Sequence, residues 1–282
     1  MSGTVRMHLL ALVLVSAAAC TGASPEAGAL ADSGLAAMRR GDSAGALQRY
    51  DQAIALNPSY ARAYRLRGDA LRDKGAYDAA IEAYDQAIKR KADDAGVFTD
   101  RAYVYQIKGE YDRAIQDFDR AIALKSNHAL ALKNRGRTHF YMGHFADAAA
   151  DLRRGAQIDS TNAYVAIWLH MAVKRLGQDN AKEFATQLAR TDSARWPAPV
   201  ARFYQGRLTA EQLMAAAPNT DSKTQADQRC AAAFYIGEAA LWNRQPAEAA
   251  RRFQETVASC PKSFTEFDAA RAELVRLGKP AA

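Results

Sequence analysis

The sequence predicts an all-α solenoid of stacked antiparallel helix pairs, on three observations. The stretch "GDALRDKGAYDAAIEAYDQAI" at 68–88 returns 34 residues later as "AYVYQIKGEYDRAIQDFDRAI" at 102–122. No Val/Ile/Thr-rich run alternates as a strand would. Hydrophobic residues make up 49% of the chain, charged residues 24%, and prolines number 8 in 282, a balance that favours a folded helical core over disorder.

The first element is not part of the fold. In "MSGTVRMHLLALVLVSAAAC", Arg6 precedes an apolar run from Leu9 to Val15, then small residues, then Cys20. The run is too short to span a bilayer, and residues 1–19 read as an export signal. Ser16–Cys20 resembles a bacterial lipobox, in which the cysteine is acylated, although Ala17 stands where Leu is usual. Ala17 and Ala19 also fit an ordinary A-x-A cleavage site. Both routes cut before Cys20 and differ in whether lipid is attached; lipidation of Cys20 is the expectation. By analogy with bacterial lipoproteins, Thr21 in place of Asp points to the outer membrane. Residues 20–28 then form a small, polar tether.

The repeat follows. Gly41, Gly75, Gly109 and Gly143 are 34 apart, as are Ala46, Ala80, Ala114 and Ala148, and Tyr50, Tyr84, Phe118 and Leu152. Ala53, Ala87, Ala121 and Gly155 make a fourth series, and Gly34, Gly68, Ala102 and Gly136 a fifth. The Gly41 series closes a turn in a left-handed conformation. The Gly68 and Ala80 series let two helices approach. Tyr84 and Phe118 fill the wedge towards the next pair, and Asn57-Pro58 stops the first pair. This is the tetratricopeptide (TPR) pattern, with units at 27–60, 61–94, 95–128 and 129–162. One pair cannot bury its apolar face alone, so copies stack.

After residue 162 the register fades. Residues 163–229 read as a divergent helical segment containing "RWPAPVARFYQGRLTAEQLM". A fifth unit at 230–263 places Gly237, Ala249, Phe253 and Pro261 where Gly68, Ala80, Tyr84 and Ala92 stand. Residues 264–277 are expected to cap the stack. With Cys20 lipidated, Cys230 and Cys260 remain, at the start of the first and the end of the second helix of the last unit. Those ends are neighbours in a hairpin, and a disulfide is expected in an oxidising compartment.

Trp196-Pro197 with Phe203-Tyr204-Gln205-Gly206, and Phe234-Tyr235-Ile236-Gly237-Glu238, together with the TPR units and Cys20, resemble the NlpI-type TPR lipoproteins of Gram-negative bacteria. The resemblance covers nearly the whole mature chain. It implies a periplasmic adaptor, lipid-anchored at the outer membrane and often dimeric, that docks a tail-specific protease, brings cell-wall hydrolases to it, or scaffolds peptidoglycan enzymes.

No nucleophile elbow, P-loop, dinucleotide fingerprint or H-E-x-x-H occurs, so neither an enzyme nor a cofactor is expected. His139 and His144 read as a hydrophobic-face histidine and a turn histidine rather than a metal pair. The net charge of +7 is spread among both signs, a solvated helical surface rather than a nucleic-acid site. What remains is binding. In a TPR stack the first helices line the concave face, and the fifth, ninth and twelfth positions point into it: Arg65, Asp69, Arg72; Thr99, Tyr103, Gln106; Lys133, Arg137, Phe140. This groove has a basic bias and two aromatics, suited to an extended segment with acidic groups or a free C-terminal carboxylate. The expectation is a non-catalytic adaptor acting by local concentration. The alternative is a pilotin-like assembly factor for an outer-membrane, pilus or secretion complex.

Overall fold

The computed structural model describes residues 24–193, 195–216 and 221–281. The expected signal at 1–19 and Cys20 lie outside the described residues. Every regular element among the described residues is a helix. Eight helices form four successive pairs: α1 (Pro25–Arg39) with α2 (Ser43–Leu56), α3 (Ala61–Asp73) with α4 (Tyr77–Arg90), α5 (Ala95–Ile107) with α6 (Tyr111–Leu124), and α7 (Ala129–Met142) with α8 (Phe145–Ile158). No described helix is long and apolar enough to cross a membrane.

The same local chemistry builds each pair. Gly41, Gly75, Gly109 and Gly143 all have φ between +76° and +83°, where a Cβ would strain the turn. A Cβ on Gly68 would lie 2.5 Å from the Tyr84 ring, so only glycine lets α3 and α4 close over that side chain. The expected tether is shorter than its sequence suggests. α1 starts at Pro25 because the Ser24 hydroxyl accepts from the Ala27 N–H at 3.2 Å, with Pro25 in the first turn.

Each first helix also packs on the first helix of the next unit, α1 on α3, α3 on α5 and α5 on α7, whereas second helices make no comparable contact with one another. The first helices therefore form the inner wall of the curve.

The 34-residue register runs one helix further than the sequence suggests. α9 (Ala163–Arg175) starts 34 residues after α7, and the short α10 (Ala181–Leu188) packs against it. Two short helices follow, α11 (Ala198–Tyr204) and α12 (Ala210–Ala215), then α13 (Ser222–Trp242), α14 (Pro246–Ser259) and α15 (Thr265–Arg276). Because α13 begins at Ser222, Cys230 lies inside that helix rather than at its start. Cys230 and Cys260 are bonded, with Cα atoms 5.2 Å apart. Closing a loop of separation 30 stabilises by roughly 3–4 kcal/mol through the entropy of the unfolded chain.

The last helix does more than cap the stack. α15 packs on α13 and α14 and folds back onto α7. Tyr141 Oη donates to the Thr265 carbonyl at 3.2 Å, and Arg276 Nη1 donates to the Tyr141 carbonyl at 2.7 Å. A buried charge cluster pins the same layer. Arg175 Nη1 lies 2.8 Å from Glu273 Oε1 and 3.3 Å from Glu238 Oε2, over the Phe145 ring. Arg276 also pairs with Glu273. Burial and the neighbouring Glu273 raise the Glu238 carboxyl above its ordinary range.

Candidate protein-binding cleft

The return of α15 turns an open inner wall into a cleft. Lys133 and Arg137 on α7, with Tyr164, Val165 and Trp168 on α9, face Asp227, Gln228 and Ala231 on α13 and Phe264, Thr265 and Glu266 at the start of α15. Trp196 closes one side, and the cleft encloses about 400 Å³. A second depression of about 460 Å³ runs on from it along α3, α5 and α7, lined by Arg72, Asp73, Thr99, Asp100, Tyr103, Leu130, Asn134 and Thr265. Lys133 and Arg137 border both. Leu130 and Tyr164 are exposed apolar side chains on this path.

The nine expected groove residues divide into three groups. Phe140 does not reach the groove. It is fully buried, edge-on to Phe145 at 5.1 Å and to Trp168 at 5.2 Å, because α9 brings an aromatic layer that draws it inward. Gln106 and Thr99 are also buried, and the Thr99 hydroxyl donates to the Ala95 carbonyl at 2.8 Å. Phe140 and Gln106 are corrections with one cause: the twelfth position lies at the edge of the helix–helix interface, and neighbouring bulk decides which way it turns. Thr99, although buried, still borders the second depression.

Arg65, Asp69 and Arg72 form the second group, bound to the stack itself. Arg65 Nε lies 2.7 Å from Asp100 Oδ2 and Nη1 3.6 Å from Asp94. Arg72 pairs with Asp69 at 3.2 Å and Asp73 at 3.0 Å, and Tyr84 Oη donates to Asp69 at 2.8 Å. The expected basic bias is thus neutralised at this end by Asp69 and by three acids the position rule does not count, Asp73, Asp94 and Asp100.

Tyr103, Lys133 and Arg137 remain as half-buried lining. Lys133 and Arg137 differ from the other groove cations. Neither forms an ion pair with a described acid. Arg137 Nη2 donates to Asn134 Oδ1 at 2.8 Å, while its Nε is buried without a partner. Burial, then the neighbouring Arg137 charge, lowers the Lys133 ammonium below its usual range. Two cations held together and partly desolvated bind a carboxylate more strongly than solvated ones do.

The position rule misses Trp168, Trp196, Tyr164 and Phe264, since it concerns only the regular units. The signal in the sequence is the aromatic run "AYVAIWLHM" and the Trp196-Pro197 pair.

A tetratricopeptide-repeat family model matches residues 31–95 and 99–163. Residues 31–163 are tetratricopeptide repeats, and the helix pairs stack as in a TPR solenoid. The fold is shared with a tetratricopeptide-repeat protein from Parabacteroides merdae, at TM-score 0.58 and 16% identity over 89% of this chain and 100% of that one. PilF of Pseudomonas aeruginosa is similar at TM-score 0.55 and 16% identity, covering 88% of this chain and 97% of that one. The MamA protein is similar at TM-score 0.52 and 19% identity, covering 64% and 94%. TPR proteins are generally non-catalytic scaffolds, and this TPR fold suggests a protein–protein interaction scaffold.

Proposed function

We propose that the chain is an exported, non-catalytic adaptor that grips an extended polypeptide in the inner cleft, with a carboxylate at Lys133 and Arg137 and an apolar side chain beside Trp168 and Trp196. The observation that carries this reading is a pair of half-buried cations that form no ion pair among the described residues, next to an apolar cleft of about 400 Å³. A peptide ending in an apolar residue with a free carboxylate supplies both missing partners.

The signal-like N-terminus and the resemblance to NlpI-type lipoproteins support an outer-membrane, periplasm-facing adaptor anchored through lipid on Cys20. Its partners on this reading are a tail-specific protease or cell-wall hydrolases. Holding two weakly binding proteins on one anchored scaffold raises their effective concentration.

The test is affinity capture from a periplasmic extract with the wild type and Lys133→Glu/Arg137→Glu. The adaptor reading expects the wild type to recover a protease or wall hydrolase and the variant to lose it. Recovery of secretin or pilus subunits instead assigns the assembly-factor role. Equal recovery by both proteins removes the cleft from the binding reaction.

A further inference from the structure

The fourth unit departs from the other three at positions that meet in one turn. The eleventh residue is Ala37, Leu71 and Tyr105 in the first three units, all buried, and His139 in the fourth. The sixteenth is Asp42, Ala76 and Glu110, then His144. The nineteenth is Gly45, Ala79 and Arg113, then Asp147.

The backbone brings the three together. Gly143, at φ +83°, ends α7. Its N–H donates to the Phe140 carbonyl at 2.9 Å, and the His144 N–H donates to the His139 carbonyl at 2.8 Å. This six-residue closure sets side chains 139 and 144 next to each other, with ring centroids 6.0 Å apart. Asp147 follows His144 by three residues in the first turn of α8, the spacing that shares a helix face. One ligand atom from each of the three lies within 4.8 Å of the others.

These side chains have no other engagement among the described residues. Neither histidine ring makes a hydrogen bond there, and Asp147 has no ion pair. His139 Nδ1 is buried without a partner. The equivalent positions of the third unit satisfy one another: Arg113 donates to Glu110 at 2.8 Å and lies over the Tyr105 ring at 5.1 Å. The nearby cation Arg135 is already held by Asp151, at 2.6 Å, and by Asp119, so its charge is compensated.

We propose that His139, His144 and Asp147 bind a first-row divalent cation of the Zn²⁺, Ni²⁺ or Cu²⁺ class, with the remaining positions open to water. Two imidazoles and one carboxylate select these metals over Mg²⁺ or Ca²⁺, which take oxygen ligands. Bonds of about 2.0–2.1 Å require the ligand atoms to close to roughly 3.4 Å apart. His144 and Asp147 are exposed, so their rotamers are free to close that distance.

The test uses the full chain carrying Cys20→Ser, with Cys230 and Cys260 bonded, so that no thiol competes. The metal-stripped protein is titrated calorimetrically with Zn²⁺ and with Mg²⁺. The expected result is one equivalent of Zn²⁺ bound in the micromolar range, no comparable Mg²⁺ binding, and at least tenfold weaker Zn²⁺ binding in His144→Ala and in Asp147→Asn. Circular dichroism should be unchanged in both variants. Electron paramagnetic resonance of added Cu²⁺ should show two imidazole nitrogens in the wild type and one in His144→Ala. Absence of Zn²⁺ binding, or equal binding by wild type and the double variant His144→Ala/Asp147→Asn, overturns the proposal.

Discussion

The first three units and the region from α7 onward solve the same packing problem differently. Between α1 and α6 the buried residues fall into small separate clusters, each built of alanines around one to three rings, such as Tyr84 with Ala80, Ala83 and Ala87. Each cluster spans only adjacent helices. From α7 onward one large cluster, with a small one around the Cys230–Cys260 bond beside it, runs from Phe140 to Leu274 and holds Trp168, Phe184, Phe234, Tyr235 and Phe253. Its ties are remote in sequence, as in the bond from Arg276 to Tyr141 across a separation of 135. The first region is therefore a sum of nearest-neighbour interfaces, whereas the second is one cooperative body that also builds the cleft.

The largest test of that contrast is Trp168→Ala. Trp168 is 2% exposed and packs against Phe140, Tyr141 and Phe234 at centroid distances of 5.2, 6.0 and 5.7 Å. Its removal should cost about 3–5 kcal/mol, measured by denaturant unfolding. Hydrogen exchange should show α9 and α11–α15 losing protection together while α1–α4 keep theirs. Equal loss in α1–α4 would mean the two regions unfold as one.

The same contrast explains what the sequence made legible. Spacing by 34 locates the first eight helices because each is specified by a glycine turn, a small contact and a ring that recur. Phe140 shows where counting fails: it holds a groove position by register, yet the unique neighbour Trp168 draws it into the core. The start of α13 at Ser222 is set by Asp221, whose side chain accepts from the Thr224 N–H at 2.9 Å, in a polar stretch without apolar periodicity. The docking of α15 on α7 uses the carbonyls of Thr265 and Tyr141, which any residue carries, so composition cannot announce it. The cleft was half legible for this reason. Its cations lie on a repeat helix, and its aromatic wall lies on the region without a repeat.

A middle-sized effect should come from Asp268, on the face of α15 that meets α7. Burial pushes its carboxyl up to about 7, against the opposing influence of Arg271 and Arg137. Below pH ~4 the group is protonated in both folded and unfolded chains. Between there and pH 7 only the folded chain holds the proton, so stability falls as pH rises through that window. Asp268→Asn removes the dependence. Since Asp268 is partly solvated, the gain at pH 8 should be about 2 kcal/mol, shrinking towards zero at pH 4. Thermal melts of both proteins across this range check it, and a variant advantage independent of pH would show that α15 docks without a titration cost.

The smallest effect should come from the repeat side, where charge pairs follow the 34-residue rule. Arg67 pairs with Asp51 at 2.9 Å, Arg101 with Asp117 at 2.7 Å and with Asp85, and Arg135 with Asp151 at 2.6 Å and with Asp119. Each arginine on a first helix reaches back to the second helix of the preceding unit, and Arg101 and Arg135 also grip the second helix of their own. Arg101 sends Nε and Nη2 to the two oxygens of Asp117, each at 2.7 Å, a fork that fixes orientation as well as charge. Asp85 is half-exposed, so that arm adds little. Arg101→Met/Asp117→Asn keeps the apolar stem, removes the fork without leaving the buried Asp117 carboxylate unpaired, and should cost about 1 kcal/mol. A cycle through the two single variants should show their losses to be coupled. The change in hydrogen exchange should stay within α4–α6, because no remote residue shares these bonds. Loss of protection in α13 or α15 would show that the ladder carries force into the aromatic body, and would erase the boundary drawn between the two regions.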